Sequence, residues 1–150
     1  MSQGEAFERA LEALSRKERT EAELVAWLSE RGFDAEEVEA AIGRLIEVGE
    51  LDDARFARRY AEDKRELRGW GPQRIRAALE ARGIGVAEVD GALAVDDHSR
   101  QVERAVALLR RRSGSLDHEA GRARALAYLT RRGYDYELAY DAVRRCEREA

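Results

Sequence analysis

Arg55, Arg58, Arg59, Lys64, Arg65, Arg68, Arg74, Arg76 and Arg82 stand within one short stretch of a 150-residue chain. Their chemistry is ionic recognition. Guanidinium groups present a fixed fork of donors to phosphate or carboxylate. Residues 55–82 carry a net charge of +5, and residues 100–132 carry +6, where Arg110, Arg111, Arg112, Arg124, Arg131 and Arg132 form a second candidate patch. Residues 1–54 carry −9, so the overall −4 conceals strong segregation. Overall charge therefore argues against general nucleic-acid binding, while the two basic blocks are candidate contacts for acidic protein or phosphate.

Residue types suited to catalysis are present without the spacing catalysis needs. His98 and His118 lie far apart, and neither has a neighbouring histidine or cysteine to share a metal. Cys146, the single cysteine, stands between Arg145 and Glu147 with no histidine beside it to act as base. Gly69-Trp70-Gly71-Pro72 lacks the Gly-Lys-Ser/Thr that completes a phosphate loop, and reads as a tight connection between helices. Glu36, Glu37 and Glu39 suit the first turn of a helix, where the dipole favours carboxylates. We therefore expect a chain with no enzymatic activity, no metal and no cofactor.

The elements that hold these residues repeat. Leu28-Ser29-Glu30-Arg31-Gly32-Phe33 aligns without gaps with Leu79-Glu80-Ala81-Arg82-Gly83-Ile84, and both align with Leu129-Thr130-Arg131-Arg132-Gly133-Tyr134. The offsets are 51 and 50 residues, a period that signals a repeat architecture. Each copy reads as helix, glycine stop, helix. Gly32, Gly83 and Gly133 fall where a helix ends in a left-handed residue. Caps open the helices that follow. Thr20 with Glu23 and Asp34 with Glu37 form capping boxes, and Phe33 with Val38, Leu51 with Phe56 and Trp70 with Ile75 flank caps as hydrophobic staples. Phe56, Tyr60 and Trp70 thus read as core and staple residues. The fold expected is all-α: three tandem three-helix repeats at 1–50, 51–97 and 98–150, forming an elongated, curved array. The helices fall at 4–15, 21–31, 35–48, 53–68, 72–82, 86–95, 99–112, 118–132 and 136–148. Residues 95–99 read as a linker and 113–115 as a looser loop. The N-terminus shows no signal peptide and no stretch is apolar enough to span a membrane, so a cytoplasmic protein is expected.

Residues 20–53 also resemble the helical half of a winged-helix DNA reader. Its second helix, however, carries Glu36, Glu37, Glu39 and Glu47, which phosphate would repel. A more specific resemblance covers the centre. Leu51-Asp52-Asp53-Ala54-Arg55-Phe56-Ala57-Arg58-Arg59-Tyr60, followed by Arg68-Gly69-Trp70-Gly71-Pro72 and a helix from Gln73-Arg74-Ile75-Arg76 to Arg82-Gly83-Ile84, resembles the central block of the bacterial RecX family. The resemblance implies a non-catalytic regulator in DNA repair, recombination and the SOS response. Such proteins bind the RecA recombinase filament on single-stranded DNA and limit its recombinase and co-protease activities. It implies a monomer with at most a weak direct contact to DNA. The open alternative is a helical, general nucleic-acid-binding protein with no RecA partner.

Overall fold

Residues 2–149 are described by a computed structural model. Among them are nine α-helices and no strand: α1 (Gln3–Arg16), α2 (Glu21–Glu30), α3 (Ala35–Glu47), α4 (Asp53–Arg68), α5 (Pro72–Ala81), α6 (Val86–Ala94), α7 (His98–Arg111), α8 (Glu119–Arg131) and α9 (Tyr136–Glu149). The capping chemistry explains most of the boundaries. Thr20 and Asp34 each accept from the backbone of a glutamate three residues on, and that glutamate's side chain accepts from the cap's own N–H, so both capping boxes close. Three starts differ by one residue from the sequence reading, the first being α1, which begins at Gln3 under a Ser2 cap. Asp97 caps α7, which places His98 inside the helix, and His118 is itself the cap of α8, its Nδ1 accepting from Gly121 N–H at 2.9 Å. Where a wing strand would follow the first three helices, α4 begins instead.

Two compact units emerge. One joins the residues up to Ala57 with Leu79–Val89; the other joins Arg58–Ala78 with the residues from Asp90 onward. In the first, Ala6, Ala10 and Ala13 lie on one face of α1. These small side chains let α1 lie close along α3, where Val38, Ala41 and Leu45 are buried with Leu24 and Leu28 of α2. In the second, Ala105, Val106 and Leu109 of α7 share a core with Leu129 of α8 and Leu138, Ala142 and Val143 of α9.

A helix-end junction recurs in each unit. In the first, the C-terminus of α5 meets the N-terminus of α2: Thr20 Oγ1 donates to Arg82 O at 2.8 Å, and Arg82 returns two hydrogen bonds to Glu23 at 2.9 and 3.0 Å. In the second, the C-terminus of α8 meets the N-terminus of α5: Gly71 N–H donates to Arg132 O at 2.7 Å and Gln73 N–H to Gly133 O at 2.9 Å. Each junction satisfies carbonyls and N–H groups that a helix end leaves orphaned. The closeness demands glycine. Gly83 has φ +83° and Gly133 φ +103°. A β-carbon on Gly83 would come within 2.5 Å of Ala22 Cβ, and one on Gly133 within 2.6 Å of Arg74 N. Replacing Gly83 by Val should therefore lower stability by more than the roughly 1–2 kcal/mol that left-handed backbone alone costs. Thermal melting of the variant checks this, and an unchanged Tm would refute the junction.

Candidate functional site

The second unit gathers cations around two aromatic rings. Lys64 and Arg68 lie one turn apart near the end of α4, Trp70 follows, and Arg74 stands in the first turn of α5. Tyr128, Arg131 and Arg132 lie at the end of α8. Leu67, Arg68, Trp70, Arg74, Tyr128, Arg131 and Arg132 line one cleft of about 620 Å³. Trp70 has the Arg74 guanidinium 4.2 Å from its ring centre and Lys64 Nζ at 4.8 Å, and Tyr60 meets it edge-on at 6.5 Å. Tyr128 has Arg132 at 4.9 Å and Arg112 at 5.2 Å. Cations over ring faces are held in place by the ring quadrupole. No carboxylate lines the cleft, and among the described residues none pairs with Lys64, Arg68, Arg74, Arg112, Arg131 or Arg132.

The repeat supplies an internal comparison. At the 51-residue offset Thr20 and Glu23 of α2 correspond to Gly71 and Arg74 of α5, and at the 50-residue offset Arg82 corresponds to Arg132. In the first unit Glu23 answers Arg82, whose guanidinium holds that carboxyl below the usual range. In the second unit the same two positions are Arg74 and Arg132, and both line the cleft. A matched ion pair in one junction is two like charges in the other.

A buried ion cluster braces the second unit. Asp96, expected in a linker, has a side chain only 2% exposed. Both its carboxylate oxygens accept from Arg104, and Arg65 Nε lies 3.5 Å from it. Arg65 also donates to Ala92 O at 2.7 Å, and Gln101 to Asp96 O at 2.7 Å. Arg104 reaches Tyr134 Oη, which donates to Gly69 O at 2.9 Å and so fixes the backbone next to Trp70. Burial lowers the pKa of Arg65, with Asp96 opposing. Burial also pulls on Arg104, but its hydrogen bonds to Asp96 and the neighbouring Tyr134 outweigh it and the net shift is upward. Residues 95–97 do connect α6 to α7, while His98 and Ser99, read as part of the linker, belong to α7. The connection is also an anchor, because the Arg65 and Arg104 guanidiniums both face its Asp96 carboxylate.

The candidate cations therefore divide. Arg65 is structural. Arg82 is engaged with Glu23 and lies 4.5 Å from the Phe56 ring centre, Arg76 pairs with Asp90 at 2.6 Å, and Arg55 donates to Gly49 O at 3.1 Å. Arg58, Arg59, Arg111 and Arg124 are exposed and outside the cleft, and Arg110 pairs with Glu149. Lys64, Arg68 and Arg74 from the first block and Arg112, Arg131 and Arg132 from the second converge on Trp70 and Tyr128. The sequence reading overlooked Tyr128, although Arg131 and Arg132 follow it at the three- and four-residue spacing that shares a helix face. A second hollow of about 560 Å³ beside Cys146 differs in charge, since its Arg110 and Arg122 are answered by Glu149 and Glu147. Burial raises the Cys146 thiol pKa. Among the described residues no group of three or more His, Cys, Asp or Glu is placed to hold a metal ion. No helix there is long and apolar enough to cross a membrane.

Comparison with known proteins decides the lineage. Residues 6–45 match the first three-helix domain of RecX and residues 52–93 the second. A regulatory protein RecX of Thermus thermophilus is 39% identical over 145 residues, spanning 97% of this chain and 94% of that protein. The chain belongs to the RecX family. A regulatory protein RecX of Deinococcus radiodurans is 38% identical over 136 residues, covering 90% of this chain and 65% of that protein. The crystal structure of RecX from Lactobacillus salivarius superposes with a TM-score of 0.86 over 97% of this chain and 96% of its own, at 20% identity. A second crystal structure of a regulatory protein RecX gives 0.77 over 95% and 71%, at 26% identity. Membership in RecX gives this all-helical chain a regulatory role and implies a protein partner.

Proposed function

We propose that this chain binds the RecA filament on single-stranded DNA and restrains its recombinase and co-protease activities, and that the cleft around Trp70 and Tyr128 holds an anionic group of that filament. The observation that carries the reading is the exchange of Glu23 for Arg74 at equivalent helix starts. Where the first junction supplies its own carboxylate, the second leaves the negative charge to come from outside. A strand backbone supplies such charge at regular spacing, and arginine forks match phosphate geometry. Trp70 and Tyr128 add π-faces on which unpaired bases stack without regard to sequence. Membership in a family of regulatory proteins supports a partner that is a protein assembly rather than free nucleic acid.

Limiting amounts of the protein should lower both strand exchange and repressor co-proteolysis by purified RecA. The protein should also co-pellet with RecA filaments in preference to naked single-stranded DNA. Equal recovery on the two would favour a nucleic-acid-binding protein with no RecA partner.

A further inference from the structure

An apolar furrow runs between α2 and α3 of the first unit. Val25 and Ser29 line it from α2, and Ala35, Val38, Glu39, Ile42, Gly43 and Ile46 line it from α3. Its volume is about 420 Å³. Val25 and Ile46 keep 39% and 44% of their surface in solvent, although the fold has a core at hand to take them. The spacing along both helices is that of a helical ridge, so the furrow follows the helix axes and has the form into which a third helix packs. Small residues line it, and a β-carbon on Gly43 would meet nothing within 4 Å, so a partner backbone can approach closely.

The charge beside the furrow selects the occupant. Glu39 borders it, and Glu39, Glu36 and Glu47 share the adjoining hollow on α3. None of these three carboxylates has an ion-pair partner among the described residues. The one cation there, Arg44, lies 3.9 Å from the Phe7 ring centre. We infer that the α2–α3 furrow docks an amphipathic helix of a partner protein, apolar on one face and flanked by lysine or arginine. The inference stands apart from the RecA reading and from the basic cleft.

The test uses the full chain and a fluorescein-labelled synthetic peptide of about 18 residues, long enough to form a helix. It carries leucines at helical i, i+3/i+4, i+7 spacing and lysines along both flanks. Fluorescence anisotropy should show saturable binding, weakened about tenfold or more when the lysines are replaced by glutamate. Gly43→Leu should weaken it at least as much, because the new side chain enters open space in the furrow. That variant should keep its helical circular dichroism and melt no lower than the parent, since leucine is the better helix former at a position with ordinary helical backbone. The triple variant Arg68→Glu, Arg74→Glu, Arg131→Glu should bind the peptide as the parent does. Absence of saturable binding, equal affinity for the two peptides, or undiminished binding by Gly43→Leu would each overturn the inference. So would a dimer of the parent in sedimentation that Gly43→Leu abolishes, because the furrow would then be filled by a second copy of this chain.

Discussion

Asp96→Ala should be strongly destabilising, costing about 3–5 kcal/mol, the range for removing one partner of a buried ion pair. The loss is large because the variant leaves two guanidiniums without a counter-charge. Arg65 and Arg104 have side chains only 11% and 17% exposed, and Arg104 directs hydrogen bonds at both Asp96 oxygens. Small proteins are stable by only about 5–15 kcal/mol in total, so such a loss is visible without amplification. Urea denaturation followed by circular dichroism should show the midpoint fall. Arg16→Ala provides the contrast. Its ion pair with Glu12 has side chains 70% and 57% exposed, and an exposed pair contributes about 0–1 kcal/mol. Comparable losses in the two variants would mean that Asp96 is no anchor. The effect should reach the cleft as well, because Arg104 contacts the Tyr134 hydroxyl that holds Gly69 next to Trp70. In a Trp27→Phe background, which leaves Trp70 as the only tryptophan, the intrinsic fluorescence should shift in Asp96→Ala before the unfolding transition begins.

Asp96 also marks where the sequence stops being readable. Local signals were sufficient for the helix ends: Thr20 with Glu23, Asp34 with Glu37, and the glycines at 32, 83 and 133 act within a few residues of themselves, and their spacing exposes them. Asp96 and Asp97 look alike in sequence, yet one is buried among arginines and the other is an exposed cap. What separates them is Arg65, thirty-one residues away, and Arg104, on the next helix. A charge count places Arg65 in a basic block but cannot tell a guanidinium facing solvent from one facing Asp96. The same limit applies to the candidate site. The two basic blocks are visible as charge, and the Glu23-to-Arg74 exchange follows only when the repeat register is carried upstream of the aligned segments. Their convergence on one cleft required the junction that sets α5 against α8, which depends on the close approach of Gly71 and Gly133.

Arg68→Glu, Arg74→Glu and Arg131→Glu together should abolish inhibition of RecA strand exchange while leaving the fold intact. All three side chains are exposed, and none of them holds a carboxylate among the described residues. Arg132 is left in place because its guanidinium donates a close hydrogen bond to Arg68 O, whereas Arg74 reaches Arg131 O only at 3.4 Å. The substitutions turn an attractive cleft into a repulsive one. The control carries the same change of charge elsewhere in the same unit: Arg58→Glu, Arg111→Glu and Arg124→Glu, exposed arginines outside the cleft. If general electrostatic attraction were responsible, both triples would fail alike. If the cleft is responsible, the control should keep most of its inhibition, and the remaining loss should shrink as salt rises, since exposed charges are screened over about 8–10 Å at ordinary ionic strength. Salt also counts the contacts. Each phosphate neutralised on a single strand contributes a slope of about −0.7 to the dependence of log affinity on log salt, so the neutral triple Arg68→Gln, Arg74→Gln, Arg131→Gln should flatten that dependence by about 2 when all three arginines meet phosphate. A flattening near zero, with inhibition nevertheless lost in the glutamate triple, would assign the cleft to an acidic surface of the RecA protein instead of to the DNA strand. Retention of full inhibition by the glutamate triple would remove the cleft from the interaction altogether.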